Sequence, residues 1–98
     1  MSFQAKDDAV LGLQLKVQEI VVKSSDVGVF SGSGTAVSIN VGEAIAEVRA
    51  ALHVDEGAGS VLPIIAANRV VSGSSVALTL GTAIQAADCI ILKYVVAE

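Results

Sequence analysis

Apolar residues recur at every second position through most of this chain. Leu11, Leu13, Leu15 and Val17 alternate with Gly12, Gln14, Lys16 and Gln18. Val37, Ile39 and Val41 alternate with Ser38 and Asn40, and Val76, Leu78 and Leu80 with Ala77 and Thr79. A period of two sends successive side chains to opposite faces of an extended chain, so each run reads as a strand with one buried and one wet face. A helix would scatter the same residues around its cylinder.

The longest alternation runs from Ala44 to Asp55. Ala44, Ala46, Val48, Ala50, Leu52 and Val54 point one way, and Ile45, Glu47, Arg49, Ala51, His53 and Asp55 the other. Good helix formers between Glu43 and Leu52 offer a short helix instead, but the unbroken period favours a strand. Ile20-Val21-Val22 interrupts the first alternation and predicts a bend, a bulge or a change of packing partner. Val61–Ala67 is apolar throughout and holds Pro63, which belongs on an edge or at a strand start because it cannot donate to a ladder. Val70-Val71 reads as its extension.

Ser24-Ser25-Asp26, Asp55–Ser60 and Ser72-Gly73-Ser74 have turn chemistry, and Ser31–Thr35 reads as a flexible loop. Gly81–Ala87 is a connection in which Ile84 is placed to plug the end of a core. Residues 1–9 are polar and read as a short N-terminal arm, leaving 10–98 as one domain. Six or seven short strands without βαβ alternation predict an all-β fold, an antiparallel β-sandwich that is Greek-key or jelly-roll-like.

The last strand, Cys89–Val96, sharpens this. Ile90, Leu92, Tyr94 and Val96 share one face, Cys89, Ile91 and Val95 the other, and only Lys93 interrupts. One face of a sandwich strand should be wet. A strand apolar on both faces asks for cover, so Cys89, Ile91 and Val95 are expected at an interface between subunits. Composition agrees: 53% of residues are hydrophobic, only 3% aromatic and 16% charged. A Val or Leu contributes about 1.5–3 kcal/mol on burial, so a small aliphatic core gains from association.

Chemistry is harder to find. The net charge of −4 offers no basic patch for nucleic acid or for an anionic membrane surface. No apolar run approaches the ~18 residues of a membrane-spanning helix. No basic segment followed by an apolar one opens the chain, so synthesis in a cytoplasm is expected. Cys89 is the single cysteine, which rules out an intrachain disulfide, and it reads as a small hydrophobe. Ser31–Thr35 lacks the Gly-Lys-Ser/Thr ending and the following helix of a phosphate loop, and Val37 stands where GxGxxG needs its third glycine. Neither CxxC, HExxH, an EF-hand loop, a glycosylation sequon nor a Gly-x-Ser-x-Gly elbow occurs.

His53 is the only histidine, and Asp55 and Glu56 beside it make a weak metal set. No metal, cofactor or catalytic residue is expected, and the chain does not read as an enzyme. Glu47, Arg49, His53 and Asp55 form a polar stripe on the strand reading: a docking stripe, an ion-pair seam between subunits, or simply a solvated side. Asp88 reads as a turn cap and Tyr94 as a core ring with its hydroxyl satisfied. Three aromatics give no platform for stacking sugars or bases.

The stretch from Ser74, SSVALTLGTAIQAADCIILKYVVAE, resembles the closing strands of small β-sandwich virion proteins of tailed bacteriophages. Those end in a Thr-Leu alternation, a loop, two small residues with an Asp, and an apolar strand carrying Tyr. The Ala-, Val- and Gly-rich, Trp-free composition is similar too. The resemblance implies a capsid decoration (cement) or head accessory protein, made in the host cytoplasm and resident in the virion. It implies a homo-oligomer, often a trimer, on the major capsid protein or another virion protein, with the N-terminal arm gripping the shell. It carries over no catalytic or ligand residues. The alternative is a receptor- or carbohydrate-binding module of a phage fibre or tail, against which the absent Trp and single Tyr count. A small hydrolase or metal enzyme on His53 and Asp55 is a third reading and lacks a nucleophile.

Overall fold

A computed structural model describes residues 17–97; the expected arm at 1–9 and the Leu11–Leu15 alternation lie outside the described residues. Among the described residues eight strands follow one another: β1 Val17–Lys23, β2 Phe30–Ser33, β3 Ala36–Asn40, β4 Ile45–Asp55, β5 Ser60–Pro63, β6 Arg69–Ser72, β7 Ser75–Thr79 and β8 Cys89–Val96. A single 3₁₀ turn, Ala66–Asn68, precedes β6. The front sheet has the order β1-β8-β4-β5 and the back sheet β2-β3-β7-β6. Every pairing is antiparallel. The chain is an all-β antiparallel sandwich, as the alternation predicted.

Its core lies where the inner faces meet. The front sheet contributes Val22, Ile45, Ala51, Ile90, Leu92 and Tyr94, and the back sheet Val37, Ile39, Val76 and Leu78. Ile64 and Leu80 close the ends, and Ile84 packs against the cluster from the β7–β8 connection, as its position in the sequence suggested. Pro63 ends β5, the edge strand of the front sheet, where its missing N–H costs no ladder bond.

Four local readings change. Ser31–Ser33 is strand, not loop: β2 is an edge strand and almost wholly exposed, so its sequence needs no apolar alternation. Only Gly34-Thr35 turns. Ile20-Val21-Val22 is regular strand, in unbroken register with Leu92, Ile91 and Ile90. Its apolar run arises because Val21 faces outward and stays 59% exposed. Val70-Val71 does not extend β5; Ile64-Ile65 and the 3₁₀ turn carry the chain across to the other sheet.

The fourth change matters most. β4 keeps its strand identity but not its alternation, because its register against β8 slips between Ile45 and Glu47 and again between Val48 and Ala50. Each slip inserts one residue and reverses the phase of the strand beyond it. Ile45, Val48, Ala51 and His53 therefore oppose Val96, Tyr94, Leu92 and Ile90 on the inner face. Glu47, Ala50, Leu52 and Val54 oppose Val95, Lys93, Ile91 and Cys89 on the outer one.

Candidate functional site

The stripe of Glu47, Arg49, His53 and Asp55 is not formed, because the bulges of β4 separate its members. Glu47 and Arg49 stay outside, joined by a 2.8 Å ion pair with both side chains 57% exposed. Such a pair contributes little to stability. His53 turns inward and is only 1% exposed, contrary to its place in the outward polar stripe that the alternation suggested. Asp55 uses its carboxylate locally, accepting the Ala58 N–H at 3.1 Å within the β4–β5 turn.

The partner of His53 is Asp88, 35 residues away in sequence. The His53 Nε2–H donates to Asp88 Oδ2 at 2.8 Å. Asp88, itself fully buried, also accepts the Gln85 N–H at 2.9 Å and the Glu56 N–H at 3.1 Å. One carboxylate thus ties β4, the β4–β5 turn and the β7–β8 connection together, and the turn-capping role expected of it is one part of that work. Burial pushes the Asp88 carboxyl up, but the hydrogen bond from His53 and those from Gln85 and Glu56 hold it below its ordinary value.

Because Nε2 carries the proton given to Asp88, a neutral His53 leaves Nδ1 as a lone pair. That atom is buried and without a hydrogen-bond partner. The ring also lines a half-open cleft of ≈ 360 Å³ with Leu62, Ile64, Thr79 and Thr82. Asp88 is not among the cleft's lining residues, and it lies fully buried behind His53. The bonds to Asp88 hold three segments together. Among the described residues, no group of three or more His, Cys, Asp or Glu comes together as metal ligands.

Tyr94 is buried with its hydroxyl donating to Glu43 Oε2 at 3.2 Å, the satisfied core position its sequence context suggested. Burial first, then the hydrogen bond to and negative charge of Glu43, push the Tyr94 phenol up.

What remains is a surface. Cys89, Ile91 and Val95 all lie on the outer face of the front sheet and are half-buried. Cross-strand register arranges that face in rows. One row is Val21, Ile91, Leu52 and Pro63, apolar across all four strands. The next is Lys23, Cys89, Val54 and Val61, and Val61 is 56% exposed. In the other direction come Glu19, Lys93 and Ala50, then Val17, Val95 and Glu47. An outward face normally carries polar residues; here two adjacent rows carry seven apolar residues and one Lys. The sequence marked the β8 share of this surface but not Val21, Leu52, Val54, Val61 or Pro63, which join it only through pairing.

Beside the charged rows, a groove of ≈ 470 Å³ runs along Val17, Arg49, Ala50 and Lys93. The second bulge of β4 and the small Ala50 side chain open it, and two cations border it. Comparison of the chain with protein-family models, with curated proteins and with solved structures finds no match.

Proposed function

We propose that this chain is a virion structural protein of tailed bacteriophages, a capsid decoration or head accessory protein that oligomerises and stabilises or decorates the particle. The observation that supports it is the apolar outer face of the front sheet, where Val21, Ile91, Leu52 and Pro63 cross all four strands. Contiguous apolar surface of that kind serves contact between proteins. The resemblance of Ser74–Glu98 to the closing strands of phage sandwich proteins supplies the setting. On this reading the protein works through surfaces, its partners are its own copies and a shell protein, and no reaction is assigned to it.

The test is saturable co-sedimentation of the purified protein with tailed-phage heads stripped of their accessory proteins. Recovery of the chain from purified particles, together with saturable rebinding to stripped heads of the same phage, supports the reading. Absence from particles together with no rebinding overturns it.

A further inference from the structure

We infer that the outer face of the front sheet is the seam between two copies of this chain, packed face to face with their strands antiparallel. The inference rests on reading that face as a docking surface. It adds the occupant and the arrangement.

The distribution of charge along the face selects both. The apolar rows, Val21 to Pro63 and Cys89 to Val61, lie toward the β4–β5 turn; the rows holding Glu19, Lys93 and Glu47 lie toward the opposite end. A two-fold axis lying in the interface along these rows, between the two apolar ones, sets each apolar row on the other. Ile91 then packs over the partner copy's Cys89 position, Leu52 over the Val54 position and Pro63 over the Val61 position. The charged rows fall outside the apolar overlap. A two-fold axis along the strands would instead press the charged rows of the two copies together, at a desolvation cost.

The same operation makes a second match. Rows are two residues apart, about 7 Å along a strand, so the segment one row past Val54 lands above the row of Lys93. That segment is the acidic turn beginning Asp55-Glu56, and Glu56 is exposed. Beneath it lies the groove bordered by Arg49 and Lys93. Arg49 is already paired with Glu47, so the match rests on the exposed Lys93: an acidic turn over that lysine, repeated twice by symmetry, is complementarity that a second copy of this chain supplies from its own sequence. The face spans roughly 20 by 24 Å, and the two turns beyond it bring the pair toward the ~800 Å² per partner of a standard interface.

The seam departs from the three-fold assembly that the resemblance implied, since it pairs copies two at a time. Light scattering and sedimentation equilibrium on the full chain decide it. A dimer, or a larger even assembly built from dimers, is expected. Ile91→Lys should give a folded monomer by circular dichroism and raise the reactivity of Cys89 toward a maleimide several-fold.

The charge match has its own readout. Lys93→Glu should weaken the dimer about tenfold, as two symmetry-related pairs are reversed, and adding Glu56→Lys should restore it. Should Ile91→Lys fail to fold, the charge-swap rescue still decides. A trimer, a monomer at high concentration, or a Lys93→Glu defect that Glu56→Lys does not repair overturns the inference. A monomer that still binds stripped heads overturns the seam and leaves the virion reading standing; a dimer absent from particles does the reverse.

Discussion

The His53 Nε2–H bond to Asp88 Oδ2, 2.8 Å long and wholly buried, joins β4 to the β7–β8 connection. Asp88 takes two backbone N–H groups as well, so removing Asp88 strands three donors, whereas removing His53 leaves one buried carboxylate oxygen without its side-chain donor. His53→Ala or Asp88→Asn should each lower unfolding stability by about 2–4 kcal/mol, since a buried charge-assisted bond is costly to leave half-made. The double variant should fall well short of the sum, by about 1–3 kcal/mol of coupling. Urea midpoints of the four proteins measure this, and simple additivity would mean that the two side chains do not act together.

Asp88 also predicts acid behaviour. Its folded carboxyl lies below its ordinary 3.8, because its three donors outweigh the effect of burial. A depressed carboxyl contributes stability that is fully present above the unfolded value and is lost as pH falls through the folded one. Urea midpoints should therefore hold from neutral pH down to about 5 and drop below about 4. In Asp88→Asn the drop should be shallower; an unchanged slope would assign acid sensitivity to other carboxylates.

Tyr94 gives the alkaline counterpart and a clean probe, because it is the only tyrosine and the chain has no tryptophan. Burial and Glu43 raise its phenol above the ordinary 10.0. A raised group contributes stability that is present below its unfolded value and is lost as pH rises through the folded one. Phenolate absorbance should appear above pH 10 in the folded protein and move back toward 10 in Glu43→Gln. Tyr94→Phe should cost only about 0.5–1.5 kcal/mol, the net worth of one hydrogen bond.

Gly32 tests the edge hairpin. Its φ of 98° is in the left-handed range, and a Cβ there would come within 2.4 Å of the Ala36 carbonyl oxygen. Gly32→Ala should destabilise by about 1–3 kcal/mol, and hydrogen exchange should quicken first in β2 and its partner β3. A neutral substitution would show that the hairpin relaxes without strain.

The fold was legible where packing demands a face. Val37 and Ile39, Val76 and Leu78, and Ile90 with Leu92 keep strict alternation because one side of each meets the other sheet. β2 escaped because an exposed edge strand buries little and so imposes little on its sequence. His53 and Asp88 escaped as a pair because 35 residues separate them and their contact exists only once β4 and β8 adjoin. Asp88 did read as a turn cap, a local pattern that the Gln85 N–H fulfils.

The sequence by itself determined the all-β class, the inward residues of β3, β7 and β8 and the two-sided apolar character of Cys89–Val96, since period-two patterning is a local consequence of chain geometry. Only the tertiary structure decided which outward residues lie together. Two inserted residues in β4 reversed its phase twice, so that Glu47 faces out while Ile45 and His53 face in, and Leu52 and Val54 line up with Ile91 and Cys89 on the outer face. A one-residue slip flips every side chain after it, and nothing in the local sequence announces where the partner strand will make that slip.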